Sequence, residues 1–483
     1  MTDTTPAADP ASNLELDADA MRDIARMVTD LVVEHIATLR DQPTQRSLPR
    51  PDAERLIATP PPEAGRDFGE LLGFLKERVL PYHAREPHPH FMGYIPSSPT
   101  FPAIAGDWLA TGYNFFAGVW SVASGPNEVE LVVLDWFRGW LGMPEGTSGL
   151  MTSGGSAATL TAMVAARHAA DPDGARVGRL SAYTSDQAHS SVARAAWIAG
   201  VPRANVRAID TDGGGRIRVE ALREAILSDR AAGLVPFIVA ASAGTTNTGA
   251  IDPLDAIAEL CVRERLWMHV DAAYAGFAAL LPDVRRRLRG IERADSVTLD
   301  PHKWLFVPFE CGSLLARDPR TLAAAFSVHP EYLTDVRAQT HDVNFADLGE
   351  QLTRSAHALK VWLSVCHFGV AQIREAIARG IRRAEYAEEQ LRSRGFEILS
   401  PAQLGVVCFR AHPPGLDDPA ALDALNERIN ARVNATGRFL MSSTRLRGRF
   451  SLRLCTQVHR MTTSDIDDAL DAIGDSAAVD ERY

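Results

Sequence analysis

Lys303 stands in the segment Ser296-Val-Thr-Leu-Asp300-Pro301-His302-Lys303-Trp304, just past a short apolar run and beside a histidine. A surface lysine is a solvated cation. One followed by Trp304, Leu305, Phe306 and Val307 is expected to be desolvated, which favours the neutral amine that attacks a carbonyl. Its chemistry would be a Schiff base with an aldehyde. Taken alone, the segment reads more simply as a lysine at a strand end. Other groups along the chain change that weighting.

Asp271 opens Asp271-Ala272-Ala273-Tyr274-Ala275-Gly276 after the apolar stretch Trp267 to Val270. An acid followed by two alanines lets a flat ring lie on methyl groups with a carboxylate at its edge; a turn-forming aspartate is the plainer alternative. Ser153-Gly154-Gly155-Ser156 precedes an alanine-rich helix, where backbone N–H groups and the Ser156 hydroxyl can receive an anion. Ser296 and His302 could add donors, although a Gly-rich turn would look the same. His189, in Ser185-Asp-Gln-Ala-His189-Ser-Ser, can stack on a ring or merely cap a helix. Gly244-Thr245-Thr246 offers hydroxyls after another apolar run, and Tyr332 lies in a polar, proline-broken stretch of the kind that forms lids. Phosphate cup, stacking histidine, hydroxyl loop, ring-nitrogen acid, amine and lid tyrosine are together the parts of a pyridoxal 5′-phosphate site.

Elements that position these groups can be read from hydrophobic periodicity. Residues Met1 to about Asn13 are small and polar and are expected to be disordered. Met21, Ile24, Val28, Val32, Ile36 and Leu39 predict an amphipathic helix; Phe68, Leu71, Leu72, Leu75 and Val79 predict a second beyond the proline-rich Thr59 to Pro62. With little of their own to pack on, both suit the surface of a second subunit. From about Phe91 to Phe368, short apolar strands (Leu180 to Tyr183, Phe237 to Ala241, Trp267 to Val270, Ser296 to Leu299, Ser313 to Ala316) alternate with Ala-rich helices. That pattern predicts an α/β domain with a mainly parallel sheet, which binds ligands at the carboxyl ends of its strands. A long helix after Gly369, strands near Phe396 to Leu399, Val406 to Arg410 and Phe450 to Leu454, and a helix from Thr463 predict a small α+β domain. The expected division is 1–90, 91–370 and 371–483.

Composition narrows the function classes. A formal charge of −11 over 483 residues, with no basic patch, argues against nucleic acid and anionic lipid as partners. The five scattered cysteines form no CxxC pair, which predicts reduced thiols, no metal site and a cytoplasmic setting. Neither a secretory leader nor an apolar run of about 20 residues is evident.

The segments His88-Pro-His-Phe91, Ser185-Asp-Gln-Ala-His189-Ser-Ser, His269-Val-Asp271-Ala-Ala-Tyr and Asp300-Pro-His302-Lys303-Trp304 closely resemble the group II pyridoxal-phosphate-dependent amino-acid decarboxylases, particularly those acting on aromatic L-amino acids. The likeness runs from about His88 to Arg460. It implies an aspartate-aminotransferase-like fold (fold type I) with a mainly parallel seven-stranded sheet, and a homodimer with sites at the interface embraced by N-terminal helices. It further implies Lys303 as the Schiff-base lysine, Asp271 as partner of the ring nitrogen, His189 and Ala273 on opposite ring faces, and Thr246 near the coenzyme or substrate carboxylate. Gly154, Gly155, Ser156, Ser296 and His302 would surround the phosphate, and Tyr332 would reprotonate Cα. The chain departs from the family in carrying Asp300 where the animal enzymes have Asn, and Gly154-Gly155 for Ser-Ala. Asn114 to Trp120 matches the wall of the substrate pocket contributed across the dimer, with different residues.

The expected activity is decarboxylation of an L-amino acid, with Phe91, Tyr94, Pro96, Phe115, Phe116 and Trp120 as the surface for an aromatic side chain or, equally, as core. Rival readings are a decarboxylase of a non-aromatic amino acid, an aldehyde synthase, an aminotransferase or sulfur lyase, and a non-catalytic relative. Tyr332 and His189 count against the synthase, which typically replaces one of them.

Overall fold

A computed structural model describes residues 14–328 and 342–478; Tyr332 lies outside them. The chain opens with three helices, α1 (Ala18–Ala37), α2 (Arg50–Ile57) and α3 (Phe68–Arg78). Asp17 caps α1 by accepting from the Asp19 and Ala20 N–H groups, and Asp67 caps α3 through Glu70 N–H. Neither helix has a fully buried residue, as expected of amphipathic segments whose apolar faces have little to pack on. Helix α2, absent from the sequence reading, starts with Pro51 in its first turn, where the missing N–H costs nothing.

The strand Phe91–Met92 (β1) and helices α4 (Phe101–Tyr113) and α5 (Trp120–Leu141) lead into a seven-stranded sheet. Its strands are β2 (Ser148–Thr152), β3 (Leu180–Ser185), β4 (Val206–Ile209), β5 (Val235–Ser242), β6 (Trp267–Asp271), β7 (Ser296–Leu299) and β8 (Gly312–Ala316), in the order β2-β8-β7-β6-β5-β3-β4. All neighbours are parallel except those of β8, which runs against β2 and β7. The central strands are buried almost throughout, because helices cover both faces of such a sheet. Asp271 pairs with Ser242 on one side and Thr298 on the other, so the ends of β5, β6 and β7 are level. Helices α6 (Gly155–Ala170) and α7 (Ser190–Ile198) start just after β2 and β3 at that same edge.

The smaller sheet has the order β1-β11-β12-β10-β9, with β9 (Glu397–Gln403), β10 (Val406–Arg410), β11 (Leu440–Leu446) and β12 (Arg449–Cys455). Its first member corrects the expected boundary at residue 91. Phe91 and Met92 pair with Leu440 and Met441, and Met92 packs with Phe409, Met441 and Leu454 in the small core. The chain therefore passes through the small domain before entering the large one. The helix Ala358–Ser393 spans both, with non-helical backbone at Gly369. Among the described residues no helix is long and apolar enough to cross a membrane.

Candidate active site

At the carboxyl edge of the large sheet lies a cavity of about 240 Å³. Its lining includes Gly154, Gly155, Ser156, His189, Thr246, Asp271, Ala273, His302 and Lys303, nine of the residues singled out in the sequence. Each is delivered by its element. Gly154 and Gly155 form the turn from β2 into α6, and Ser156 follows in the first turn of that helix. The turn packs so closely on β8 that the facing Gly312 must be glycine: a Cβ there would lie 2.4 Å from Gly154 Cα. His189 caps α7, its Nδ1 accepting from Ser191 N–H at 3.2 Å and meeting the Ser191 hydroxyl at 2.8 Å. Capping and cavity lining, posed as alternatives in the sequence, coexist in one side chain.

Asp271 ends β6 and accepts from Ala273 N–H at 3.1 Å. Burial pushes its carboxyl above the ordinary carboxylate range, against the opposing pull of the Lys303 cation. Lys303 Nζ lies 2.9 Å from Asp300 Oδ2. His302 donates from Nδ1 to the Cys311 carbonyl at 2.6 Å and turns Nε2 toward Asp300 at 3.5 Å; burial holds it below the ordinary imidazole range.

The set fits pyridoxal 5′-phosphate on the structure's own terms. An amine, a carboxylate and an imidazole line one cavity beside a glycine cradle at the start of a sixteen-residue helix. A Cβ at Gly155 would fill that cradle, lying 3.3 Å from Ala273 Cβ and 3.1 Å from Asp300 Oδ2.

Two expectations need correction. Ser296 is not at the cavity: it begins β7 at the opposite end of the strand and is fully buried. Its hydroxyl accepts from Trp267 Nε1 at 2.8 Å and meets His269 Nδ1 at 2.8 Å. The apolar run after Lys303 does not wrap its amine either. Trp304, Leu305, Phe306 and Val307 turn into the core, and the amine instead faces polar groups and a carboxylate.

Phe91, Tyr94, Pro96, Phe115, Phe116 and Trp120 do not line the cavity within their own chain. Phe91 is core in β1, and Pro96 is buried with its carbonyl accepting from Gln457. Tyr94 is 65% exposed, and Phe116 lies on the surface beyond α4. Phe115 stacks on Tyr113, and Trp120 begins α5 half-buried.

The sequence reading also missed a support. Arg453, buried in β12, donates to the carbonyls of Thr246, Asn247 and Tyr94 and to Ser442 Oγ. One guanidinium thereby fixes the Thr246 loop to the small domain. The available signal was an arginine flanked by Leu452 and Leu454 in the buried part of a strand, since a buried charge needs partners.

Known proteins give a consistent picture. Residues 52–412 match the model of the pyridoxal-dependent decarboxylase conserved domain. The aromatic-L-amino-acid decarboxylase of Bacillus atrophaeus is 38% identical, over 94% of this chain and 95% of its own. Phenylacetaldehyde synthase of Arabidopsis thaliana is 30% identical over 91% and 92%. The crystal structure of Oryza sativa TDC with PLP and tryptamine superposes with a TM-score of 0.92 at 29% identity, covering 96% of this chain and 98% of that one.

Proposed function

The chain belongs to the pyridoxal-dependent decarboxylase family, and from that premise we propose which of its residues carry the reaction. The protein is a pyridoxal-phosphate-dependent carboxy-lyase that converts an aromatic L-amino acid to its amine and carbon dioxide. When bound, the cofactor supplies an aldehyde for an amine and a ring that accepts the electron pair left at Cα.

Lys303 is the amine that holds the cofactor and later frees the product. Asp271, at the strand end, holds a proton at the ring nitrogen, the task for which a raised, enclosed carboxyl is suited. Ala273 and His189 bound the ring, and Thr246 presents its hydroxyl at the same edge. Gly154, Gly155, Ser156 and His302 receive the phosphate at the start of α6. Tyr332 donates the proton that replaces carbon dioxide at Cα. The observation that carries this reading is the convergence of Lys303 and Asp271 on one cavity with the glycine cradle.

The protein is read as a cytoplasmic homodimer. In support, all five cysteines are free. Met21, Met27, Val33, Leu71 and Leu75 are exposed on α1 and α3, and Phe101, Trp108, Tyr113 and Phe116 are exposed along α4 and its end. The substrate wall is then Phe115, Phe116 and Trp120 facing the cavity of the other subunit.

Two measurements test the proposal. Borohydride reduction of the loaded protein and peptide mapping should place the label on Lys303; a label elsewhere overturns the assignment. A panel of L-amino acids should give amine and carbon dioxide in equal amounts with an aromatic substrate. Aldehyde and hydrogen peroxide in place of amine would favour the synthase reading.

A further inference from the structure

Asp300 is the one charged residue of the cavity that the proposed chemistry leaves without a task. It precedes Pro301 at the N-cap position of the four-residue helix Pro301–Trp304, yet its side chain makes no capping hydrogen bond. It is 3% exposed. Oδ2 faces Lys303 Nζ at 2.9 Å and His302 Nε2 at 3.5 Å. Oδ1 is buried with no hydrogen-bond partner. A buried carboxylate oxygen left so is costly unless something else engages it.

What that oxygen approaches is the start of α6. A Cβ at Gly155 would lie 3.2 Å from Oδ1 and 3.1 Å from Oδ2. The carboxylate therefore leans over the helix N-terminus that is assigned to the phosphate. Two anions held that close repel, and burial leaves little water to screen them. Two escapes exist: the side chain moves away, or it gives up its charge. Moving away would break the Lys303 pair, and the chain on either side of Asp300, Leu299 and Pro301, is fully buried.

We propose that Asp300 takes up a proton from solvent when a phosphate monoester seats on the start of α6, and that the acid formed donates from Oδ1 to the phosphate. No bond other than this O–H forms. The step turns an unpartnered acceptor into a donor and removes the like-charge contact. The charged groups facing Asp300 are Lys303 and His302 on its own helix and Asp271 from β6, with Lys360 behind His302 and Cys311. α6 brings no charged side chain to the cavity, only backbone N–H groups and the Ser156 hydroxyl. Cofactor retention in this chain is thus linked to pH through a residue that does not touch the reacting carbon.

The inference rests on the reading of Ser153 to Ser156 as the phosphate cup. Its test uses pyridoxamine 5′-phosphate, which carries ring and phosphate but no aldehyde to bond Lys303. Affinity is followed by tryptophan fluorescence from pH 6 to 8.5 in the unchanged protein and in Asp300→Asn, which keeps a donor without a charge. The unchanged protein should lose about tenfold more affinity per pH unit than the variant, one proton's worth of linkage. At pH 8 the variant should bind about tenfold or more tighter. Sulfate, a dianion throughout this range, should compete with the probe better at pH 6 than at pH 8 in the unchanged protein, a readout that needs no variant. Parallel pH dependences, weaker binding by the variant at pH 8, or sulfate competition that ignores pH would each overturn the role of Asp300 alone. Binding of neither probe to either protein would bring down the phosphate cup with it.

Discussion

The cofactor cavity and the aromatic surface beyond α4 are built on opposite plans. In the cavity, groups from β2–α6, α7, β5, β6 and the Lys303 helix converge within one chain. Their positions are over-determined: Asp271 is pinned by Ala273 N–H, His302 by the Cys311 carbonyl, and the Thr246 loop by Arg453. The aromatic surface has the reverse character. Tyr113 and Phe116 are exposed, and the stack of Phe115 on Tyr113 is local. Exposed apolar patches of this kind mark interfaces. On the proposed reading the difference separates reaction from recognition: one chain would supply the cofactor site, and a surface completed by a second chain would read the side chain of the substrate.

The sharpest blow to the cavity side is Asp271→Asn. Removing the acid that holds the ring proton should cut kcat by about 10³-fold, within the range for a lost acid–base group, while the cofactor still binds. The check is kcat alongside the absorbance of the bound cofactor. A loss below tenfold would show that the ring is served by another group.

Mixing two crippled chains tests the other side. Lys303→Ala and Phe116→Ala homodimers should both be weak. If Phe116 serves the neighbouring cavity, half of the dimers in an equal mixture are hybrids, each with one intact site. Activity should recover to about a quarter of the unmutated value, as two-fold symmetry requires. No recovery would place Phe116 outside the partner's site and erase the contrast.

The smallest effect concerns the interior of β6, two residues before Asp271. His269 in β6 is fully buried between Ser296 and Thr298, and burial lowers its imidazole to about 3. The unfolded chain takes up this proton below about pH 6.5, whereas the folded chain does not until near pH 3. Its contribution is therefore complete above pH 6.5 and declines as pH falls toward 3, by about 2 kcal/mol at pH 5. Urea midpoints at pH 7.5 and pH 5 should differ less in His269→Gln than in the unchanged protein.

Sequence was most telling where local pattern and chemistry coincide. Asp271 and Lys303 follow apolar strands whose limits lie close to those observed, and β7 and β10 match their expected limits residue for residue. The reading of Ser296 failed because strand direction is invisible in a list of nearby residues: one end of β7 reaches the cavity, and the other abuts Trp267. Strands β2 and β4 escaped because short, mixed segments such as Ser148–Thr152 and Val206–Ile209 carry little periodicity. β1 escaped because its two residues are a strand only by virtue of β11, some 350 positions away. The task of Arg453 could not be guessed either, since its carbonyl partners at Tyr94 and Thr246 come from two distant segments.

The helix Ala358–Ser393 gives its first turns, through Val361 and Val365, to the large core and its last, through Ala387 and Leu391, to the small one. Between them Gly369 has φ 74°, and a Cβ there would touch nothing within 4 Å. The bend is thus governed by a backbone torsion that glycine adopts freely, and no side chain wedges it open. Ile373 and Ile377 follow the bend yet still pack in the large core, beside Val406 and Cys455 of the small sheet, so one continuous apolar core locks the lobes bearing Arg453 and Lys303 together and the bend only redirects the helix.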